Sequence, residues 1–437
     1  MSVSELFNAK KNAIVYTDEQ KQALLKVHKF LESSDSFFLL AGYSGCGKTT
    51  IAENIANYKH ATLLAPTNAA VNRLREKIDN DHLEYQTIHK CLFNATDDKK
   101  GTSFVKQKSL KANSTYIIDE CSMIDKYILE VIIKDALIKK CKIIFMGDSF
   151  QLEPVGTNPW IFNWEKQYPD QFLPHNKYEL TKVMRYDGSL LDIATQIRTN
   201  KISSFKQPEN SDLSIVPKFN KSLLKDVSEG NNYVVLTSTN SRRVQYNQKI
   251  KQILDKTRKP KDLLGISNNE VLVSISNSGG YSNGEIYIAI KPKLIYEFDL
   301  LITNKKGIQN KYQCYVYNIN KTLHLVTPNL IEPSLHSTQI IESINFLDNL
   351  PTEIKKLIVK VYGKYGKKKS YISPEVTIST LGYAISCHKA QGQEWKNVYI
   401  DANWMMPIWD NAKWFYTAIT RAKNKVEIIN NQYLKIK

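Results

Sequence analysis

Short apolar runs and helical periodicities alternate along most of the chain. Residues 36–41, Ser-Phe-Phe-Leu-Leu-Ala, are an apolar run that predicts a buried strand, and residues 50–57 a compact helix after it. Residues 61–65, 116–120 and 142–146 read as further strands. Upstream, Ala23, Leu24, Leu25, Val27 and Phe30 recur at helical spacing. Thr17, with Gln20 three residues on, has capping-box spacing and sets the start of that helix. Residues 1–15 read as a loosely held lead. A second α/β unit follows, with strand 233–237, basic helix 241–254, strand 396–400, helix 411–422 and a last strand at 426–429. Between its halves, residues 285–327 alternate apolar and polar at 286–290, 298–302, 312–316 and 324–326, which predicts a β-rich insertion. Residues 93–113, rich in lysine, aspartate and glycine, predict a small excursion with a hairpin around Lys99-Lys100-Gly101.

The strand ends carry the polar chemistry. Residues 42–49 read G-Y-S-G-C-G-K-T and fit G-x-x-x-x-G-K-[ST] between a strand and a helix, the setting of a phosphate-binding loop. Its glycines let backbone N–H groups turn inward on an anion, and the helix that follows adds its positive end. Gly42, Ser44, Gly45, Cys46, Gly47, Lys48, Thr49 and Thr50 are therefore the expected nucleotide set. Lys48 would reach the β- and γ-phosphates and the Thr49 hydroxyl would hold Mg²⁺. The plain alternative is a glycine-rich turn with a solvated lysine. Strand 116–120 ends in Asp119-Glu120: Asp119 suits Mg²⁺, and Glu120 suits orienting or deprotonating an attacking water. Strand 142–146 runs into G-D-S-F-Q-L-E-P-V, which puts the neutral amide of Gln151 near the γ-phosphate position. Gln20 has two readings, helix cap or reader of the adenine edge, since an amide offers both a donor and an acceptor. Pro66, Thr67 and Asn68 stand between a strand and a helix, where N–H groups and hydroxyls can meet phosphate, and Thr87 and His89 follow in a polar context.

Composition narrows the partner. Hydrophobic content of 42% and charged content of 24% over 437 residues allow two to four domains with buried cores. The net charge of +17 points to a polyanion, and nucleic acid comes before membrane because no basic amphipathic segment with a large apolar face stands out. Lysines around 355–369, interleaved with Tyr362, Tyr365 and Tyr371, would suit a phosphate-contacting surface or a merely solvated face. Six scattered cysteines without a C-x-x-C pair argue against a zinc site and a disulfide framework. With no signal-like segment and no membrane-length apolar run, the expectation is a soluble, cytoplasmic protein.

Two late stretches are not explained by packing: I-S-C-H-K-A-Q-G-Q-E at 385–394 and Y-T-A-I-T-R-A-K at 416–423. With the phosphate loop, Asp119-Glu120 and residues 147–155, they resemble the motif set of superfamily 1 helicases. The likeness is greatest to the RecD/Dda-type (1B) branch, related to Pif-type helicases, and it runs from about residue 16 to 430. The resemblance implies an α/β fold of two RecA-like P-loop domains that close on one ATP, with single-stranded DNA across their top. Residues 1–180 would be the first domain, with a pin-like 1B insertion at 93–113. Residues 181–284 and 376–437 would be the second domain, with an SH3-like 2B insertion at 285–375.

By the same resemblance, Gln20 looks like the adenine reader and Gln151 the γ-phosphate sensor. Lys48, Asp119 and Glu120 look like catalytic residues, with Thr49 and Asp119 on the metal. Arg185 and Arg421 look like trans-acting arginines of the second domain. Guanidinium donors in such places stabilise charge on the transferring phosphoryl group. Gln391, Gly392 and Glu394 join the nucleotide set. Pro66, Thr67, Asn68, Thr87, His89, Ser386 and His388 resemble DNA-contacting motifs. Two departures stand out. Ser386 replaces a common threonine, and Cys46 sits where relatives often carry threonine, so its alkylation would block ATP. No Pif-type signature run follows Asp119-Glu120, which favours the RecD/Dda side.

The expectation is an ATP- and Mg²⁺-dependent monomeric motor that tracks single-stranded DNA, with five-prime-to-three-prime polarity implied by the family. It would separate duplexes at junctions, in DNA repair, recombination or replication. A translocase without effective strand separation and a non-motor nucleotide switch are the rival readings.

Overall fold

The computed structural model describes residues 15–98, 101–106, 108–153, 161–163, 173–184, 188–199, 212–216, 221–229, 232–257, 266–275, 281, 283–303, 309–327, 358–362, 368–372, 376–402 and 411–429. They fall into two compact units. The first draws on residues 1–215, 391–397 and 403–437, the second on residues 216–390 and 398–402.

The first unit opens with helix α1 (Asp18–Glu32), which begins as its sequence predicts. The Thr17 hydroxyl caps the Gln20 N–H and the Gln20 side chain returns to the Thr17 N–H, a complete capping box worth about 1 kcal/mol. Then follow β1 (Phe37–Gly42), α2 (Lys48–Lys59), β2 (Thr62–Ala65), α3 (Asn68–Ile78), β3 (Tyr85–Thr87) and α4 (Ile88–Leu92). A hairpin of β4 (Phe93–Asp98) and β5 (Gly101–Lys106) interrupts them, paired from Phe93↔Lys106 to Asp98↔Gly101, where the sequence expects it. The chain resumes with β6 (Thr115–Ile118), α5 (Lys126–Lys139), β7 (Lys142–Gly147), β8 (Lys177–Leu180), α6 (Gly188–Arg198) and β9 (Leu213–Val216).

Strands of this unit form a six-stranded sheet in the order β3-β2-β6-β7-β1-β8. The pairs β1/β7, β1/β8, β2/β3, β2/β6 and β6/β7 are all parallel. Successive side chains feed opposite cores. Phe38, Leu40, Leu63, Ile117 and Ile144 pack with Leu24 and Val27 of α1 and Ile51 of α2. Phe37, Leu39, Leu64, Ile118 and Phe145 pack with Leu129, Ile132 and Ala136 of α5. Helices therefore cover both faces, which is why these strands read as unbroken apolar runs. Each fully buried Leu, Ile or Phe contributes about 1.5–3 kcal/mol to that arrangement.

The second unit contains α7 (Lys221–Glu229), β10 (Tyr233–Thr237) and α8 (Asn240–Thr257). It goes on with β11 (Glu270–Ser274), β12 (Ile286–Ala289), β13 (Lys293–Thr303), β14 (Gln309–Ile319) and β15 (Thr322–Val326). A hairpin of β16 (Ile358–Tyr362) and β17 (Lys368–Ile372) precedes β18 (Val376–Leu381) and β19 (Ala384–Ser386). The strands expected at 286–290, 298–302, 312–316 and 324–326 are all present, in a sheet ordered β12-β11-β18-β15-β14-β13. Two strands outside the expected 285–375 span, β11 and β18, sit inside that sheet because each pairs with partners distant in sequence. Tyr365 of the lysine-rich stretch lies outside the described residues.

Several buried polar groups in this unit satisfy one another. Glu270, fully buried, pairs with Lys251 Nζ at 2.9 Å, accepts the Ser267 N–H at 3.1 Å and accepts the Tyr383 hydroxyl. Asn247 bridges α8 to β19, donating to Ala384 O at 2.9 Å and accepting the Ala384 N–H at 2.8 Å.

The chain finishes with β20 (Trp395–Asp401), α9 (Ala412–Ile419) and β21 (Ala422–Ile429). Strand β21 neighbours β9, and the Val426 N–H donates to Asp212 O at 2.7 Å. Among the described residues no helix is long and apolar enough to cross a membrane.

His324 on β15 supplies a test of the second unit. Its ring is fully buried, with Nδ1 at 2.8 Å from the Tyr287 hydroxyl, and burial pushes its pKa down to about 4. Unfolding returns it to about 6.5, so the unfolded chain binds the proton first. The stability this neutral ring contributes is present above about 6.5 and is lost as pH falls towards 4, amounting to about 3 kcal/mol. Chemical denaturation at pH 7 and pH 4 should therefore show wild type losing about 3 kcal/mol more than His324→Gln. Equal losses would show that the ring does not set this pH dependence.

Candidate nucleotide site and nucleic-acid interface

Most of the expected chemical groups of the first unit stand at the carboxyl end of a parallel strand. β1 ends at the phosphate loop, β6 at Asp119-Glu120 and β7 at Asp148–Gln151, whereas β2 and β3 end at residues 66–68 and 87–89. In a parallel sheet all these ends share one edge, where such folds bind ligands.

The loop of residues 42–47 turns through two left-handed glycines, Gly45 at φ 84° and Gly47 at φ 82°. Gly47 is required on both counts: its φ excludes ordinary side chains, and a Cβ there would collide with Gln20 Nε2. Lys48 opens α2, and its Nζ donates to Gly42 O at 2.8 Å and Tyr43 O at 2.9 Å.

A cavity of about 690 Å³ opens over the loop and lies wholly within the first unit. Gln20, Ser44, Gly45, Gly47, Lys48, Thr49 and Thr50 line it together with Asp119, Glu120, Gln151, Gly392, Glu394 and Arg421. Most of the residues that sequence reasoning singled out for nucleotide chemistry thus share one space. Gly42, Cys46 and Gln391 do not line it, and Arg185 falls outside the described residues. The Cys46 thiol is 1% exposed and pushed up by burial. The expectation that alkylation there blocks ATP is therefore corrected, since a thiol that is neither accessible nor ionised is a poor nucleophile.

Gln20 is the helix cap that one of its readings expects, and its side chain also reaches the cavity wall. Its Oε1 accepts the Thr17 N–H at 3.0 Å to close the capping box, while its Nε2 donates to Cys46 O at 3.1 Å at the cavity wall. The helix cap thereby fixes the amide against the loop.

Carboxylates and cations face each other across the cavity. Burial and the neighbouring Glu120 push Asp119 up to about 6, with Lys48 and Arg73 pulling the other way. A buried carboxylate so placed suits a divalent cation, and Asp119 with the Thr49 hydroxyl would offer the hard oxygen donors that Mg²⁺ takes. No cluster of three or more His, Cys, Asp or Glu suited to a metal occurs among the described residues, so the remaining ligands would be phosphate and water. Glu120 sits at φ 51°, a left-handed backbone uncommon for a side-chain-bearing residue and frequent at functional positions. Gln151 is 4% exposed, and its Oε1 has no hydrogen-bond partner among the described residues. An orphaned amide at a cavity wall suits a ligand donor.

Arg421 lies past the end of α9 rather than within it, 1% exposed. Its Nη2 donates to Ser44 Oγ at 3.2 Å and its Nε to Thr417 O at 3.0 Å, so the guanidinium is docked on the phosphate loop itself. Glu394 is enclosed by cations: Arg73 pairs with it directly, and Lys77 and Lys423 each stand at 3.3 Å.

Arg73, which sequence reasoning missed, lines the cavity and donates to the Gly392 carbonyl at 2.6 Å. Burial and Arg421 push it down to about 10. Its signal was the pattern of α3, where Ala70, Val71, Leu74 and Ile78 form the buried stripe and Arg73 falls beside it. Asp148, 1% exposed, was expected only as part of a run; it accepts the Tyr416 hydroxyl at 2.7 Å and pairs with Arg198.

The DNA-type residues of the first unit occupy neighbouring strand ends. Thr67 caps α3 through the Ala70 N–H at 3.2 Å, and Thr87 caps α4 through the Lys90 N–H at 3.1 Å. Capping uses a lone pair of each oxygen, and the O–H can still donate. His89 is held down by burial against Asp125's opposite pull, with its ring 5.5 Å from that of Phe93. In the second unit, Ser386 Oγ accepts the Lys389 N–H at 3.4 Å, and burial lowers the pKa of His388. Both histidines are thus biased to the neutral ring, which stacks or hydrogen-bonds rather than pairing as an ion with phosphate.

Comparison with known proteins agrees with this arrangement. Residues 15–213 match the AAA domain family and residues 381–429 match the UvrD-like helicase C-terminal domain family. The chain is 29% identical to the ATP-dependent DNA helicase dda of Enterobacteria phage T4, over 42% of this chain and 43% of that protein. It is 24% identical to RecBCD enzyme subunit RecD of Buchnera aphidicola subsp. Schizaphis graminum, over 96% of this chain and 74% of that protein. A crystal structure of Pif1 helicase from Bacteroides superposes with a TM-score of 0.50 at 16% identity, covering 95% of this chain and 92% of that one, and shares the fold with its RecA-like domains. By its motifs, its fold and these relatives, the chain is similar to the superfamily 1 helicases of the RecD, Dda and Pif-type branch.

Proposed function

We propose that this chain is an ATP-driven motor on single-stranded DNA that separates duplexes at junctions, acting as a monomer with five-prime-to-three-prime polarity. The observation that carries the reading is the single cavity in which Lys48, Thr49, Asp119, Glu120, Gln151 and Arg421 meet. Lys48 and the N–H groups of residues 45–49 hold the triphosphate, and Gln20 reads the adenine. Glu120 orients or deprotonates the attacking water while Gln151 monitors the γ-phosphate. Arg421 stabilises charge on the phosphoryl group in transit. Thr49 and Asp119 hold Mg²⁺, which when bound neutralises phosphate charge. Arg185 is proposed as a second arginine for the same phosphates.

Residues 66–68, 87, 89, 386 and 388 grip the DNA strand, mostly at its backbone. Support comes from the net charge of +17 and from relatives whose names include an ATP-dependent DNA helicase. A Pif1 of the same fold has been crystallised with ADP-AlF3 and ssDNA. The proposed division is a first RecA-like domain over 1–180 with a pin at 93–113, a second over 181–284 and 376–437, and a β-rich insertion over 285–375.

ATP turnover with and without single-stranded DNA tests the motor. Wild type should be strongly stimulated, and Lys48→Ala and Glu120→Gln should lose nearly all turnover. Arg421→Ala should lose about a hundredfold or more, as arginine fingers do. Turnover indifferent both to DNA and to Arg421→Ala would leave the nucleotide switch.

Strand separation is tested at the β4–β5 hairpin. Replacing residues 93–113 by a short glycine linker should abolish unwinding of a forked duplex while DNA-stimulated ATPase persists. Unwinding at wild-type rate would show that the hairpin is no pin.

A further inference from the structure

The hydroxyl of Tyr416, on the buried face of α9, touches two motifs that sequence reasoning treated separately. It accepts the Ser44 N–H of the phosphate loop at 3.0 Å and donates to Asp148 Oδ2 at 2.7 Å. Asp148 in turn is paired with Arg198 and accepts the Phe150 N–H at 3.0 Å, so its carboxylate is anchored from three sides. The Tyr416 ring is held edge-on by Phe150, at 5.4 Å and 89°. One residue on, Thr417 Oγ1 accepts the Leu152 N–H at 3.0 Å. Segment 148–152 is therefore tied to α9 on both sides of Gln151, and the tyrosine hydroxyl carries that tie on to the Ser44 amide.

We infer that Tyr416 is a positioning residue for triphosphate turnover, its hydroxyl holding the phosphate loop and the Gln151 segment in one register. The inference rests on the reading that this cavity hydrolyses ATP, and it adds a residue that acts through others. The chemistry explains why a hydroxyl is needed. It is the smallest group that accepts from an amide and donates to a carboxylate at once. Removing it leaves Ser44 N–H without this acceptor and Asp148 without this donor, both in a poorly solvated place where each must find a substitute. For the amide, the available substitute is the phosphate the loop binds. For Asp148 there is none of equal geometry, so the segment bearing Gln151 loosens. Ground-state binding then holds or strengthens while the chemical step slows. A tyrosine that only packed α9 would give the opposite signature, with stability and affinity falling together.

Tyr416→Phe keeps the ring on Phe150 and deletes the oxygen alone. Single-stranded-DNA-stimulated ATPase and equilibrium binding of a fluorescent ATP analogue are measured on the full chain, with rates normalised by active-site titration. The expected result is kcat lowered by about tenfold or more with KM and Kd unchanged or lower, the pattern of an interaction realised in the transition state. Asp148→Asn, which breaks the same link from the other end, should show the same split and serves if Tyr416→Phe does not fold. A kcat within about twofold of wild type, or kcat and affinity falling together, overturns the inference. A wild type that binds no ATP overturns the functional reading with it, whereas an active wild type matched by Tyr416→Phe overturns the positioning role alone.

Discussion

Parallel pairing of β1 with β7 on one side and β8 on the other decides where the chemistry of this protein can stand. Ile143 lies opposite Phe37 and Lys177 opposite Leu39, and each strand runs the same way. The loop after β1 and the loop after β7 therefore leave the sheet at one edge, next to each other. Crossover helices bury the strands from both sides, and their N-termini return to that edge with positive ends exposed to anions. A sheet of mixed direction would have scattered Lys48, Glu120 and Gln151 to opposite ends. The apolar alternation between two cores is thus a catalytic constraint as well as a source of stability.

Much of this was legible because it is local. An apolar run, a glycine loop and a following helix are neighbours in sequence, and so are an apolar strand and the acids at its end. The strands predicted at 36–41, 61–65, 116–120 and 142–146 and the hairpin at 93–113 are all present. What stayed hidden depends on pairing between distant residues. That β11 and β18 lie inside the β-rich sheet is decided by cross-strand partners such as Leu272↔Leu381 and Leu325↔Ile378, which no periodicity encodes. Arg73 was invisible for the same reason, being on its own helix an ordinary cation beside a buried stripe, and Tyr416 stood out only as the first residue of the 416–423 run, with no partner indicated. Their roles arise from partners hundreds of residues away, Gly392 for Arg73 and Ser44 for Tyr416.

Charge is arranged at the cavity with similar economy. Glu394 faces three cations, and the Asp119-Glu120 pair faces Lys48 and Arg73. Burial, and after it the neighbouring Arg421 charge, lower the pKa of Arg73. Clustered like charges at a low-dielectric wall cost free energy that an incoming polyphosphate with its metal can return, which gives the site a preference for a ligand of mixed charge over a simple anion. Away from the cavity, burial holds His89 and His388 each towards neutrality, which suits stacking or hydrogen bonding rather than ion pairing.

The polar groups of the phosphate loop already have protein partners. Lys48 Nζ is bound by the carbonyls of Gly42 and Tyr43, the Ser44 N–H by Tyr416 and the Ser44 hydroxyl by Arg421. Phosphate binding is consequently an exchange of hydrogen bonds, and only the difference between old and new partners appears as affinity. Two of those old partners, Tyr416 and Arg421, belong not to the loop but to α9 and the turn after it. Any phosphate that displaces them must move or release those segments. Binding at this loop is therefore mechanically linked to α9 by necessity, because the same hydrogen-bonding atoms serve both, and such a link is what a motor requires of its fuel site.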